Sequence, residues 1–280
     1  MPPFTDADVK RLEKLAHGFR MDIVRMIHNV GSGHPGGALS CIDMVTALYF
    51  HQMRYDPKNP KWEERDRFVL SKGHGCCAQY AALAGLGVFP KEDLMGYRVF
   101  GHHIQGHPDM TKTPGIEMST GSLGQGLSAA NGMALGLRLD RSPARSYCIV
   151  SDAEMQEGQT WEAALTAAHH KLDNLCALFD HNGLQIDGRI EDIKAIEPIL
   201  DKWRAFGWHV LDIDGHDMKE ILTALDEAEK TKGRPTLIRA RTVKGKGVSF
   251  MENSVKFHGV APNDEQFEQA MKELQENAPA

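Results

Sequence analysis

The chain has 280 residues, of which 41% are hydrophobic and 25% charged, and carries a net charge of −6. That is enough chain for a full core in one large α/β domain or two small ones, with the composition of an ordinary soluble globular protein. The acidic balance, with no basic run, speaks against a general nucleic-acid binder, and no apolar stretch approaches the roughly 18 residues that span a bilayer. Residues Met1–Asp8 lack the charged start and apolar centre of a secretory leader. The five cysteines are odd in number and show no Cys-x-x-Cys spacing. Reduced, buried thiols in a cytoplasmic protein are the expectation.

In chain order, Leu12, Leu15, Ala16, Phe19, Ile23, Met26 and Ile27 recur at helical spacing and predict a helix from Asp8 to about Asn29, capped by Thr5 or Asp6. Gly31-Ser-Gly-His-Pro-Gly-Gly37 breaks it, and a second helix is predicted from about Ser40 to His51. Arg67–Ser71 reads as a buried strand ending at Lys72-Gly-His-Gly75. A small-residue helix follows, from about Cys76 to Gly85. Gly96–Leu123 is a long loop rich in Gly, His and Pro, of the kind that is usually functional or disordered. A helix full of small residues runs from Gly124 to Leu139. Strands Tyr147–Val150 and Leu175–Phe179 flank a helix from about Gln159 to His170. Trp208–Ile213 and Pro235–Arg241 are further strands, separated by an amphipathic helix, Met218–Lys230. A loop carrying Lys244-Gly-Lys-Gly247 and Phe257-His-Gly259 leads to a charged C-terminal helix. No repeat or linker divides the chain, and alternating helices and strands favour one α/β domain with a mostly parallel sheet.

Asp152 and Asn182 each directly follow a buried strand of one strand-helix-strand unit, thirty positions apart. A parallel crossover brings both strand ends to one edge of the sheet, where open α/β sheets bind ligands. A carboxylate, an amide oxygen and a nearby backbone carbonyl suit a magnesium ion that keeps places open for phosphate oxygens. The pair therefore predicts a metal-diphosphate site.

Four histidines lie in glycine-flanked turns: His34, His74, His107 and His258. One such histidine is commonly a turn or core residue. Four together suggest imidazoles gathered around a polar, phosphorylated substrate, because histidine donates near neutral pH and glycine lets the backbone approach a ligand. His102, His103 and His107 follow no familiar zinc spacing and have no cysteine beside them, which speaks against zinc. Gly121-Ser-Leu-Gly-Gln-Gly126 opens a helix, and its amides either hold an anion or simply pack closely. Glu154, Glu157 and Glu162 surround the first metal-site residue, where acidic side chains also offset a helix dipole.

Gly33-His-Pro-Gly36, Leu70-Ser-Lys-Gly-His74, Gly106-His-Pro108, Thr120-Gly-Ser-Leu-Gly-Gln-Gly126 and the Asp152–Asn182 element occur in the order found in transketolases. From about residue 8 to 262 the chain resembles the N-terminal half of that family, and its length resembles the separately encoded N-terminal subunit of a split transketolase. The resemblance implies an α/β fold of the thiamine diphosphate-binding type, a mostly parallel sheet with helices on both faces. It implies a single diphosphate-binding domain over residues 1–280, with the pyrimidine-binding domain on another chain. Its cofactors would be thiamine diphosphate and Mg²⁺, or Ca²⁺ or Mn²⁺ in its place. Asp152, Asn182 and the Leu184 carbonyl would bind the metal. Gly121, Ser122, Leu123, Ala153 and Glu154 would lie along the cofactor, with His74 and His258 approaching its diphosphate or thiazolium. His34, His107 and His258 would meet the sugar. Glu157 and Glu162 would stand at the subunit contact, Glu162 also serving the network that reaches the partner's catalytic glutamate. The expected partner is a C-terminal transketolase subunit in an α2β2 assembly, and the expected substrates are sugars or sugar phosphates of pentose phosphate chemistry.

One departure stands out. The family's metal motif usually begins Gly-Asp-Gly, whereas here it is Ser151-Asp152-Ala153. If Ala153 must adopt the left-handed region, the cost is about 1 kcal/mol. The departure also raises a non-catalytic cofactor-binding subunit as an alternative. The alpha subunit of a 2-oxoacid dehydrogenase and a deoxyxylulose phosphate synthase are alternatives within the thiamine diphosphate enzymes, against which the four histidines count.

Overall fold

The structure, a computed structural model, describes residues 4–279, so the first three residues of the Met1–Asp8 segment lie outside the described residues. Five strands form one sheet in the order β1-β2-β3-β5-β4, every neighbour pair parallel. They are β1 (Arg67–Leu70), β2 (Ser146–Ser151), β3 (Leu175–His181), β4 (His209–Asp214) and β5 (Thr236–Arg241). β2 and β3 are buried almost throughout, which explains why they read as unbroken apolar runs rather than alternating ones.

Helices cover both faces, as predicted. On one side pack α1 (Asp6–Val30), α2 (Pro35–Ala47) and α3 (Cys76–Leu86), and the chain later adds α8 (Met218–Lys230) and α9 (Asp264–Glu276) to that layer. The other side is built by α4 (Gln125–Leu139), α5 (Gly158–His169) and, after the short α6 (Ile190–Lys194), α7 (Ile199–Ala205). α1 starts with a reciprocal capping box between Thr5 and Asp8. All five cysteines are buried and free. Among the described residues no helix is long and apolar enough to cross a membrane.

Three helices differ from the sequence reading. α2 starts at Pro35, five residues before the predicted Ser40, because proline is accommodated at a first helical position and the two glycines continue the helix. Those glycines serve packing: a Cβ on Gly36 would lie 2.9 Å from the Phe257 carbonyl, and one on Gly37 would lie 3.3 Å from the His74 ring. Helices α6 and α7 were not predicted, being too short for a periodic signal. α7 nonetheless places Trp203 in the core, edge-on to Trp208 at 4.8 Å.

The register sets Ser151 opposite Asp180 and Asp180 opposite Ala240. Asp152, Asn182 and the chain after β5 therefore leave the sheet at three adjacent tips. Replacing the fully buried Trp203 with alanine is expected to lower stability by about 3–5 kcal/mol. Urea denaturation of the Trp203→Ala chain checks this, and a change within about 1 kcal/mol, close to the scatter of surface substitutions, would contradict the packing described.

Candidate active site

The strand tips open into a cavity of about 290 Å³ lined by His34, His74, Gly121, Leu123, Ala153, Asn182, Leu184, Lys244 and His258, among others. A larger cavity of about 550 Å³, between α1, α9 and the 246–252 segment, holds none of the predicted residues. The first cavity is the functional candidate because predicted residues from six separate segments meet there.

Its floor is built on a buried ion pair whose lysine, Lys72, also lines the cavity. Lys72, just past β1, reaches Asp180 near the end of β3, and both are almost without exposure. Lys72 also donates to the Gly37 carbonyl (2.6 Å) and to Ser40 (3.3 Å). Ser40 donates to Asp180 at 2.7 Å, and Thr242 donates to its other oxygen. Burial opposes both charges, yet the Asp180 carboxylate holds the Lys72 ammonium above its ordinary pKa and Lys72 holds Asp180 below its own.

A second buried acid, Glu154, is pinned between the β1 and β2 tips and the start of α4. It accepts the Ser71 hydroxyl, the Gly124 amide (2.9 Å) and the Ser151 amide (2.9 Å). The Gly126 amide donates to Ser71 Oγ at 3.1 Å. The positive end of α4 is thus met by a carboxylate of the protein itself. The amides of Gly124 and Gly126 thus pack the helix against the sheet. Glu154 stands behind the cavity wall and not in it, while Gly121 and Leu123 line the cavity and Ser122 is exposed outside it.

The four histidines converge. Ring centroids are 5.4 Å apart for His34 and His74, 5.5 Å for His34 and His258, 5.1 Å for His74 and His258, and 6.0 Å for His34 and His107. Lys244 Nζ lies 2.7 Å from His258 Nδ1, and Arg98 donates to His34 Nδ1 at 3.3 Å. Each cation hands a proton to Nδ1, so the neutral rings carry their own proton on Nε2. Burial, followed by the neighbouring cations, pushes His34 down to about 4 and His258 down to about 3. His74 is likewise held well below its ordinary value by burial and Lys72. Lys244, also buried, drops to about 8.

Asp152 is 1% exposed. Its Oδ2 accepts the amides of Asn182 and Gly183, each at 2.9 Å, and its Oδ1 lies 2.5 Å from His181 Nδ1. Burial pushes the Asp152 carboxyl up, against the hydrogen bond from His181. For His181, burial acts downward, and the bond and charge of Asp152 together carry it above its ordinary value. Asn182 Oδ1 accepts the Leu184 amide at 3.2 Å. Carboxylate, amide and carbonyl oxygens at two neighbouring tips, with Lys244 beside them for an anion, fit a hard divalent ion carrying a diphosphate. Ala153 lies outside the left-handed region and starts a 3-10 turn, Ala153–Gln156. The feared backbone cost is absent, because this turn has no need of glycine.

Glu157 and Glu162 are exposed at the N-terminal end of α5, outside the cavity. Glu162 thus makes no contact with the four imidazoles. Lys72, Lys244, Asp180, His181 and Arg98 were missed by sequence reasoning. A charged residue closing an otherwise apolar strand was the available signal for Asp180. For Lys72 it was adjacency to Gly73-His74, and for Lys244 the Lys-Gly-Lys-Gly turn read only as a loop.

Such a parallel sheet with an acid-amide pair at its tips defines a diphosphate-binding α/β protein. A family model described as "Transketolase, thiamine diphosphate binding domain" matches residues 12–279, and the chain belongs to the transketolase family as an N-terminal, diphosphate-binding subunit. It is 48% identical over 264 residues to the 6-deoxy-6-sulfo-D-fructose transketolase subunit SqwG of Clostridium sp. (strain MSTE9), covering 94% of this chain and 96% of that one. It is 41% identical to an apulose-4-phosphate transketolase subunit of Phocaeicola vulgatus, covering 96% and 95%. Among solved structures, transketolase from Campylobacter jejuni superposes with a TM-score of 0.89 at 34% identity, over 94% of this chain and 42% of that one. The chain therefore spans about two fifths of the solved transketolase it matches.

The low values at His34 and His258 have a sign. The folded state resists protonation while the unfolded chain takes up protons at its ordinary value of 6.5. Their contribution to stability is complete above pH 6.5 and is lost as pH falls toward 4 and then 3. NMR titration of the imidazole C–H signals is expected to give midpoints well below about 6 for both, away from the ordinary histidine range; ordinary midpoints would refute the buried, cation-flanked setting.

Proposed function

We propose that this chain is the diphosphate-binding subunit of a thiamine diphosphate-dependent transketolase, moving a two-carbon ketol unit from a ketose to an aldose. The observation that carries the proposal is the meeting of three neutral imidazoles, His34, His74 and His258, and Lys244 over the Asp152 and Asn182 strand tips, with His107 beside them. When bound, the cofactor supplies an electron sink for the two-carbon unit. Asp152, Asn182 and the Leu184 carbonyl would hold its Mg²⁺, and Lys244 would neutralise diphosphate charge.

The protein's own groups bind and orient the sugar. His34 and His258 present Nε2–H donors fixed by Arg98 and Lys244, and they remain uncharged at neutral pH. They can thus hydrogen-bond the hydroxyl and carbonyl oxygens of a ketose and relay protons without carrying a standing charge. Exposed His107 stands at the rim of this cluster. Both curated relatives described above are named for ketoses bearing an anionic group, a sulfonate in one and a phosphate in the other. A donor ketose of that anionic class is proposed here as well.

The single domain of residues 1–280 supplies the diphosphate side. A C-terminal subunit would supply the pyrimidine-binding side, joining across the exposed Glu157 and Glu162 of α5 in an α2β2 assembly within the cytoplasm. The chain alone is expected to show no ketol transfer, and mixing with the C-terminal subunit restores it. Substantial turnover by the purified chain would refute the division of labour. In the mixed assembly, Asp152→Ala is expected to abolish magnesium-dependent thiamine diphosphate binding measured by calorimetry. Unchanged affinity would overturn the metal assignment, whichever sugar proves to be the donor.

A further inference from the structure

The long loop leading to His107 carries a second imidazole cluster outside the cavity. Asp93 lies in a 3-10 segment, Lys91–Gly96, and His102 and His103 follow in the next turns. One ligand atom from each of the three lies within 4.8 Å of the others. Among the described residues this is the one such group of His, Cys, Asp and Glu. His103 Nε2 is 2.9 Å from Asp93 Oδ2, and the two imidazoles stack with centroids 4.6 Å apart.

The surroundings are built around these rings. A Cβ on Gly96 would fall 2.3 Å from the His102 ring, so only glycine lets that ring lie against the backbone. Phe89 meets the His103 ring edge-on at 5.5 Å, and Thr113 ties down the His103 carbonyl. His103 Nδ1 is buried without a hydrogen-bond partner, a costly state for a ring nitrogen. Asp93, His102 and His103 themselves are half-buried, which leaves an approach from solvent.

We propose that Asp93, His102 and His103 bind a first-row divalent transition ion of the zinc, nickel or cobalt class, and that the ion pins the loop that ends at His107. Two imidazoles and a carboxylate are the donors such ions prefer over magnesium. Metal–ligand distances of about 2.0–2.2 Å require donors within about 4.4 Å of one another, so small movements of the side-chain tips close the set. The ion replaces the proton shared by His103 and Asp93. It also draws on His102, whose Nδ1 accepts the Ile104 amide at 3.2 Å in the metal-free chain. Water completes the coordination, since three protein ligands leave positions open.

The consequence reaches the sugar side of the cavity. Between Asp93 and His102 the chain carries Arg98, which donates to Ser32 at 2.6 Å as well as to His34. The Arg98 amide donates to the Ile104 carbonyl at 3.1 Å, so the turn holding both histidines is also the turn that aims Arg98. Fixing that turn fixes the residue that sets the His34 tautomer. The metal site does not depend on the reaction proposed above, and its test uses no turnover.

Titration of the full chain with Co²⁺, followed by its visible absorption, is expected to reveal one tight equivalent. Asp93→Asn and His103→Ala should each weaken it at least tenfold, whereas His34→Ala, in the other imidazole cluster, leaves it unchanged. Asp93→Asn is nearly isosteric on a half-buried turn and keeps the test decisive if a histidine variant fails to fold. Zn²⁺ should also slow chymotryptic cleavage after the fully exposed Phe100 in the unmodified chain but not in Asp93→Asn. Absence of a tight equivalent, or an equivalent lost with His34→Ala and kept with His103→Ala, would overturn the proposal.

Discussion

A lysine and an aspartate buried at the cavity floor organise everything above them. Lys72 and Asp180 face each other in the interior, and their remaining bonding capacity is taken up by Gly37, Ser40 and Thr242. Such pairs add little net stability, because desolvation offsets the attraction, but losing one partner leaves an uncompensated buried charge. The arrangement therefore has one low-energy solution, in which β1, β3, α2 and the chain after β5 come to the same point. Those four segments carry His74, Asn182, His34 and Lys244. The geometry of the site is thereby fixed at its floor, where Lys72 itself reaches the cavity wall.

Glu154 performs the matching task on the other side of the sheet. An exposed helix start attracts anions, and α4 would do so with its first amides free. Glu154 takes that place from within the fold, leaving Gly121 and Leu123 of the preceding turn to face the cavity. The protein thus separates two uses of one glycine-rich segment: close packing at its end and a smooth cavity wall at its beginning. Ser151 takes part by donating its side-chain hydroxyl to Glu154 at 3.2 Å, beside the bond from its amide. This is a physical role for a residue that stands where a glycine is usual.

The charge pattern of the site follows from the same burial. Lys72 is neutralised by Asp180, so Lys244 is the cavity lysine left for an anion. Lys244 and Arg98 sit next to imidazoles in a place poor in water, and they keep those rings neutral. A neutral ring with a fixed tautomer is a directional donor. A fold that holds the rings of His34 and His258 with centroids 5.5 Å apart is suited to gripping adjacent oxygens of a sugar. The exposed acids Glu157 and Glu162 lie away from this water-poor region, in solvent where their charge costs little.

Much of this was legible in the residues. The apolar runs of β2 and β3, and their spacing, determined the parallel crossover and brought Asp152 and Asn182 to adjacent tips, because a connection of that length allows little else. Three of the four Gly-flanked histidines marked the cavity lining, and the fourth, His107, its rim, for the same local reason: glycine signals close approach. What the sequence could not specify was which polar side chains would turn inward. Lys72, Asp180, Glu154 and His181 are common residue types whose role depends on partners 83 to 108 positions away, or 29 in the case of His181. Likewise, the spacing of His102 and His103 gave no metal pattern, since their third partner, Asp93, is supplied by a turn folding back. Local pattern governs which elements form and where the strands end; desolvation and long-range pairing, which exist only once the layers pack, decided the charges, the tautomers and the walls of the site.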